Sequence, residues 1–308
     1  MDSQKKKLSL KNYSLCSVIL VSTALLFAIM LSVMMLTVYE PDMHYFKYAS
    51  PWFSIFVAAV IAVGVIAVIL AFTQKKGSLP TSYPTSGRYN RAASILSGFW
   101  LIGYAVKALV DILTKGVYSA QGQPVSGISR LFTGRFNSVS SVAAIIGIIG
   151  AFYLLLPFVS ATMTNNTRII FGCVLTVFFI FRLLVLYYDT ITPINSPIKM
   201  LEQMAVVGAM LFTVYEMRFL LGEPKPRSYV VISTLSFILL ASHSTSQIIA
   251  SCFLSGMPYS ATYMPSLFFE LLFAIYIFSG LISYLTACKF YTPEQEVSEL
   301  PEIEEIEE

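Results

Sequence analysis

The stretch PWFSIFVAAVIAVGVIAVILAFT, residues 51–73, has no charged side chain and is apolar along almost its whole length. A helix needs about 20 apolar residues to cross the hydrocarbon core of a bilayer. Lipid offers the backbone no hydrogen-bond partners, so a single segment that crosses it must be helical. The stretch therefore predicts a transmembrane helix.

Seven further apolar stretches, joined by short polar loops, extend this prediction to most of the chain. The predicted spans are residues 14–38, 51–73, 91–113, 138–161, 167–187, 197–221, 229–254 and 264–288. The composition agrees, because 56% of the residues are hydrophobic, 12% are charged and the mean hydropathy is +0.73. A soluble domain has about twice that charged fraction. The predicted fold class is all-α, a polytopic integral membrane helix bundle with eight transmembrane helices.

The distribution of lysine and arginine among the loops predicts the orientation of the chain. The N-terminal segment is basic, with Lys5, Lys6, Lys7 and Lys11. Every second loop after it is also basic, and these loops contain Lys75, Lys76, Arg88, Arg91, Arg168, Arg218, Lys225, Arg227 and Lys289. The intervening loops are poorer in both residues. Cytoplasmic loops of membrane proteins are enriched in Lys and Arg, so both termini are predicted to be cytoplasmic.

Three parts follow from this topology: a basic cytoplasmic head, residues 1–13, the transmembrane domain, residues 14–288, and an acidic cytoplasmic tail, residues 289–308. The tail has little to bury and is predicted to be disordered. It is either a solvated segment without a partner or a docking strip for a basic cytoplasmic protein. The net charge of +3 does not indicate nucleic acid, because the basic residues lie at membrane borders. The predicted location is the cell membrane, with the lipid bilayer as partner.

The chain has no recognisable motif for catalysis, nucleotide binding or metal binding. The sequences H-E-x-x-H and G-x-S-x-G are absent. Its two histidines, His44 and His243, lie far apart, and its cysteines form no C-x-x-C pair. The cysteines are Cys16, Cys173, Cys252 and Cys288. We expect these thiols to be buried as small apolar groups, and we expect no metal or cofactor.

Polar side chains inside the spans are the residues most informative about function. A charge at the bilayer centre costs roughly 2.5–3.5 kcal/mol on insertion scales, so it usually faces protein or water. Most ionisable residues inside the predicted spans lie in their outer third. The predicted lining of a polar cavity that is open to the exterior is Lys107, Asp111, Arg182, Glu202, His243, Gln247 and Glu270.

The spacing of some of these residues predicts their partners. Lys107 and Asp111 are four residues apart, so they can form an ion pair on one face of a helix. Arg182 and Asp189 are seven residues apart and also share a face. The alternative is that these charges only fix helix packing, or that Lys107 and Arg182 extend outward to lipid headgroups.

The seventh predicted span has an unusual polar run, SHSTSQ at residues 242–247. Serine and threonine hydroxyls can bond back to their own helix. His243 and Gln247 share a face and need partners from other spans, which Glu202 or Glu270 supply only if they reach deeper than their outer-third positions. His243 is a candidate proton carrier, and a satisfied interior histidine is the other interpretation.

Short matches along the chain hint at a repeated two-helix hairpin. Pro197 precedes Glu202 by the same interval as Pro265 precedes Glu270, and both pairs open a helix that runs from outside to inside. Spans 3–4, 5–6 and 7–8 would then be repeats, which are common in transporters. Chance similarity between apolar sequences is the alternative.

Three function classes stay open. The favoured class is a transporter or binder of a small polar solute that uses the exterior-facing cavity. The alternative is a membrane sensor or scaffold that acts through protein partners, in which the intramembrane ion pairs serve only helix packing. An intramembrane enzyme comes third, because no nucleophile, metal pair or catalytic motif is recognisable.

One region of the sequence resembles a known family. It contains FRL at residues 181–183, EQMA at 202–205 and MLF at 210–212, followed by Tyr215-Glu216 and Arg218-Phe219. This region, under a quarter of the chain, resembles an uncharacterised family of multi-spanning membrane proteins from Gram-positive bacteria. The resemblance implies a membrane location and topology and no particular activity. It singles out Arg182, Glu202, Tyr215 and Glu216.

Overall fold

Long helices dominate the computed structural model, as the sequence predicts. In chain order the helices are α1 (Asp2–Thr37), α2 (Pro51–Thr73), α3 (Arg88–Thr114), α4 (Arg135–Val159), α5 (Asn165–Tyr188), α6 (Pro197–Leu220), α7 (Pro226–Phe253) and α8 (Met264–Phe290). Each of the eight contains a segment that is long and apolar enough to cross a membrane. The chain therefore has the helical architecture of a multi-pass membrane protein.

The structure describes residues 2–40, 45–46, 51–73, 81, 88–114, 117–118, 124–125, 127–159, 165–190, 192–193, 195–253 and 264–290. His44 lies outside these described residues, and so do residues 291–308 of the predicted acidic tail. The first two residues of that predicted tail, 289 and 290, still belong to α8.

The helix ends agree with the predicted spans to within about one turn, with one exception. The exception is α1, which begins at Asp2, so the basic head continues the first helix backward instead of preceding it. Prolines start several helices, including Pro197 of α6 and Pro226 of α7. Proline suits this position because its missing N–H would have no intrahelical partner there. Gly222 follows α6 with a φ of 78°, a left-handed conformation that glycine adopts without strain.

Small elements occupy two of the connections. Strand β1 (Tyr39–Glu40) pairs antiparallel with β2 (Tyr45–Phe46) between α1 and α2. Strand β3 (Val117–Tyr118) pairs in the same way with β4 (Pro124–Val125) after α3. A 3₁₀ helix, Gly127–Phe132, then leads into α4.

The helices pack into a closed arrangement. Consecutive helices from α3 to α8 pack side by side, and α8 also packs against α3, which closes these six helices into a ring. Helices α1 and α2 lie outside the ring and pack mainly on α7. Aromatic rings fill the space between α5, α6 and α8, and they include Phe178, Phe179, Phe212, Phe269 and Phe273. The ring thus directs side chains from several helices into one shared interior.

Glycines allow some neighbouring helices to approach closely. A Cβ atom on Gly150 of α4 would lie 3.0 Å from the backbone Cα of Leu175 on α5. Gly208 of α6 similarly faces α7, and its carbonyl accepts a hydrogen bond of 2.8 Å from Ser236 Oγ. Such contacts matter in a membrane, because helices there associate through packing and hydrogen bonds and gain little from the hydrophobic effect.

The outer surface of the bundle is apolar. Helix α2 has no charged residue and exposes Trp52, Ile55, Ile61, Ile66 and Ile69. A continuous apolar surface of this kind would promote aggregation in water. In a bilayer it is the surface that contacts lipid.

Candidate functional site

A cluster of charged side chains lies inside the bundle and is centred on Arg182 of α5. Its Nη2 donates to Glu202 Oε1 of α6 at 2.7 Å. The same nitrogen donates to Ser266 Oγ of α8 at 3.3 Å and lies 3.7 Å from Glu270 Oε1, also on α8. Its Nη1 donates to the Tyr104 hydroxyl of α3 at 3.2 Å. One guanidinium therefore joins α5 to three other helices.

His243 extends the cluster to α7. Its Nδ1 lies 3.1 Å from Glu270 Oε2, so Glu270 reaches His243 although its position in the predicted span is nearer the outer end. Gln247 is buried one turn further along the same face of α7. The serines beside them behave as predicted, because Ser242 and Ser244 each donate to a carbonyl one turn back in α7.

The cluster is buried, yet its hydrogen bonding is incomplete. None of its four ionisable side chains is more than 5% exposed. Within the described residues, Glu202 Oε2, Glu270 Oε1 and His243 Nε2 have no hydrogen-bond partner, and neither polar atom of the Gln247 amide has one. Buried polar atoms in native proteins almost always have a partner. Within this cluster, polar atoms without a hydrogen bond therefore lie on three neighbouring helices, α6, α7 and α8.

A small cavity adjoins the cluster. Its volume is about 10 Å³, which is room for about one water molecule. The polar part of its lining comes from Tyr104, Arg182, Ser266 and Glu270, and most of the rest is aromatic. This cavity has no room for a solute larger than water.

The predicted site residues form two separate groups. Arg182, Glu202, His243 and Glu270 are joined by direct contacts, with Gln247 beside them. The second group is a pair on α3, whose members are Lys107 and Asp111. Lys107 Nζ lies 2.8 Å from Asp111 Oδ2, as the spacing predicts. The Lys107 side chain is 40% exposed and the Asp111 side chain is 24% exposed. The pair therefore belongs to the surface of α3 and not to the buried cluster.

Asp189 pairs with Lys199 of α6, a partner that its shared helix face with Arg182 does not predict. Lys199 Nζ donates to the backbone carbonyls of Asp189 at 2.6 Å and Thr192 at 2.7 Å, and lies 3.9 Å from Asp189 Oδ2. Asp189 follows the end of α5 and meets the first turn of α6, whereas Arg182 points into the bundle. Lys199 thus binds carbonyl groups near a helix end, where they lack intrahelical partners.

A second polar cluster, which the sequence does not predict as a site, lies at the opposite ends of α5 and α6. Arg168 Nη2 is 3.7 Å from Glu216 Oε1, and the Tyr276 hydroxyl donates to the same oxygen at 2.5 Å. The Arg168 guanidinium also lies 5.5 Å from the Tyr153 ring centroid. The available signal was the spacing of Glu202, Ala209 and Glu216, which follow one another at intervals of seven residues and so share one face of α6.

Two of the four cysteines differ from expectation, and the side chains of the other two, Cys16 and Cys288, lie outside the described residues. Cys173 and Cys252 are exposed, not buried. Both lie within spanning helices, where lipid can take the place of an apolar core around a small side chain. In the part of the chain that the structure describes, no group of three or more His, Cys, Asp or Glu side chains is placed to hold a metal ion.

Together, the eight apolar helices and the buried charged cluster define a multi-pass integral membrane protein with a polar interior site. No protein-family model, curated protein or solved structure matches the chain. The resemblance of residues 181–219 to an uncharacterised membrane family therefore stays a prediction, and the functional argument rests on the geometry of this chain.

Proposed function

We propose that this protein binds and transports a small polar solute along a path that opens to the exterior beside the Arg182 cluster. The cluster residues Glu202, His243, Gln247 and Glu270 form the binding region. The Lys107–Asp111 pair lies about one turn beyond Tyr104 on α3, toward the predicted exterior, and would stand at the outer mouth of the path.

The observation that carries this proposal is the set of buried polar atoms without a hydrogen bond on α6, α7 and α8, of which Glu270 Oε1 has an ion-pair contact with Arg182. Ion pairs that serve only helix packing should satisfy their polar atoms, because each buried unpaired group costs about 1–3 kcal/mol. A binding site keeps such atoms for its ligand instead. Intramembrane ionisable residues usually mark pathways for solutes, ions or protons, which also supports transport.

The alternative function is a membrane sensor or scaffold, and the small cavity favours it. With room for about one water beside Arg182, the bundle is packed closely enough to serve as a rigid support for protein partners. The charged cluster would then fix the packing of α5, α6, α7 and α8. A basic cytoplasmic protein that docks on the predicted acidic tail, residues 289–308, is the partner this alternative requires.

Cysteine accessibility separates the two functions. Ser266→Cys and Ala209→Cys both place a small thiol in the cavity lining without removing a charge from the cluster. Ala144→Cys is the matched control, because Ala144 is equally buried on α4 and does not line the cavity. Each variant is made in a background with the four native cysteines replaced. A membrane-impermeant thiol reagent is applied to intact cells and to inside-out vesicles, and labelling is scaled to the denatured protein.

Progressive labelling of positions 266 and 209 in intact cells, with position 144 protected, is the expected result. It would mean that the closed cavity opens to the exterior often enough for the reagent to enter. Labelling only from the cytoplasmic side would contradict the proposed direction. Protection of both cavity positions from both sides would contradict the transport function and favour the scaffold.

A further inference from the structure

We infer that His243 and Glu270 form a reversible proton-binding site at the centre of the bundle, and that its occupancy controls which partner Glu270 binds. The role of this proton in solute movement rests on the proposed function. The proton-binding site itself does not, since it can be tested without any solute.

The charge of the buried cluster is the first step of the argument. Arg182 contributes one positive charge, and Glu202 and Glu270 contribute two negative charges when ionised. With a neutral His243 the cluster therefore has one unbalanced negative charge in a low-dielectric interior, where an uncompensated charge is costly. One proton taken up from the aqueous phase makes the imidazole an imidazolium and balances the cluster.

Among the side chains that the structure describes, the neighbouring helices supply no other charge to balance the cluster. Helices α1 and α2, which pack on α7, have no charged residue at 18–37 and 51–73. On α6, the nearest cation to Glu202 is Lys199, which is already held by Asp189 and the carbonyl groups after α5. On α8, Glu270 is the ionisable group that faces His243. The proton is thus the missing positive charge.

The two oxygens of Glu270 face two different partners. Oε2 lies 3.1 Å from His243 Nδ1, and Oε1 lies 3.7 Å from Arg182 Nη2. A protonated His243 attracts the carboxylate toward α7, and a neutral His243 leaves it to Arg182 of α5. Arg182 also binds residues of α3 and α6. Gain or loss of one proton therefore changes how Glu270 of α8 connects His243 on α7 to Arg182 and the helices that Arg182 binds.

A protonated ring needs a second hydrogen-bond acceptor, and the Gln247 amide on the same face of α7 is the group available to supply it. An imidazolium donates from both ring nitrogens, and His243 Nε2 has no partner among the described residues. Gln247 lies one turn away on the same face and has an equally partnerless amide oxygen. A metal ion is a poorer occupant, because the guanidinium of Arg182 already lies between the two carboxylates and repels cations.

Nitrogen NMR of the histidine ring tests the site directly. The chain has two histidines, so His44→Gln leaves His243 as the single imidazole signal in full-length protein labelled with ¹⁵N-histidine. The spectrum is recorded between about pH 5 and pH 9, the range in which histidine ordinarily titrates. The expected result is one reversible change between the charged and neutral ring.

Two further variants identify the partner. Glu270→Gln removes the carboxylate that stabilises the imidazolium, so the midpoint should fall by about one pH unit or more. Glu223→Gln is the matched control, since this glutamate is 81% exposed in the α6–α7 connection and should leave the midpoint unchanged. A ring that keeps one charge state throughout the range overturns the inference without any change to the cluster. An unchanged midpoint in folded Glu270→Gln protein overturns the assigned partner.

The outcomes also separate this inference from the proposed function. If His243 titrates but the cavity stays protected from the thiol reagent, the proton site is supported and the transport function is contradicted. If the cavity is labelled but His243 does not titrate, the transport function is supported and the proton site is contradicted.

Discussion

At the scale of single residues, Arg182 has the largest structural role in the interior. Its guanidinium has five N–H donors, and the bundle supplies acceptors from α3, α6 and α8. Glu202 and Glu270 depend on it in return, because no other cation is in contact with them except a protonated His243 among the residues the structure describes. Such mutual dependence makes the removal of one member more damaging than its own contacts suggest.

Replacing Arg182 with methionine should destabilise the protein by about 3–5 kcal/mol, because it leaves buried carboxylates without their cation. Arg218→Met is the matched control, since Arg218 is 31% exposed and faces the 81% exposed Glu223 at 3.7 Å. An exposed pair of that kind is worth about 0–1 kcal/mol. Denaturant unfolding of the purified proteins in detergent measures both changes. Equal losses in the two variants would show that Arg182 is not a structural centre.

The sequence identifies the unusual residues but not their pairs. Arg182, Glu202, His243 and Glu270 stand out because charged or imidazole side chains are rare in apolar spans. Their partners come from different helices, and only the three-dimensional packing brings these together. The local pair Lys107–Asp111 is predicted correctly because its geometry depends on one helix alone.

At the scale of elements, the helices themselves are predicted well. Their length is set by the thickness of the bilayer and their ends by prolines, glycines and charges, which are all local features. The start of α1 is the exception. Residues 2–13 are polar, so hydropathy ends the span near residue 14, whereas backbone hydrogen bonding continues the helix to Asp2.

Helices α5 and α6 are tied at both ends by the same combination of residues. Arg182 pairs with Glu202 near one end, and Arg168 faces Glu216 near the other. The two arginines are about four turns apart on α5, as are the two glutamates on α6, so each pair uses one face of its helix. Both glutamates also lie beside side chains of α8. Of the two clusters, the one centred on Arg182 lines the small cavity.

Close packing of α4 on α5 predicts the effect of adding one methyl group. Gly150→Ala should destabilise the protein by about 1–3 kcal/mol, because its Cβ would lie 3.0 Å from a backbone atom of Leu175, which cannot rotate away. Gly103→Ala on α3 is the matched control, since a Cβ there meets nothing within 4 Å. That change should stabilise by up to about 1 kcal/mol through helix propensity. Thermal unfolding in detergent should move the two midpoints in opposite directions.

At the scale of the whole molecule, helix neighbours are the part of the fold that the sequence does not predict. Apolar faces of different spans look alike, so nothing in their composition states that α8 closes the ring against α3 or that α1 and α2 pack on α7. The predicted hairpins α3–α4, α5–α6 and α7–α8 do pack as neighbours, but so do α4–α5 and α6–α7. Adjacency therefore does not test the repeat, which stays a prediction.

Orientation in the membrane follows from an argument about the whole chain. The 3₁₀ helix between α3 and α4 is separated by three spans from the α6–α7 connection, so the two must face opposite sides of the bilayer. Ile128 and Glu223 are exposed there by 73% and 81%. The α6–α7 connection belongs to the alternating set of loops that is, taken together, the richer in Lys and Arg. An impermeant thiol reagent should therefore label Ile128→Cys on intact cells and Glu223→Cys only after permeabilisation. Labelling of position 223 alone on intact cells would reverse the topology and place the proposed path on the cytoplasmic side.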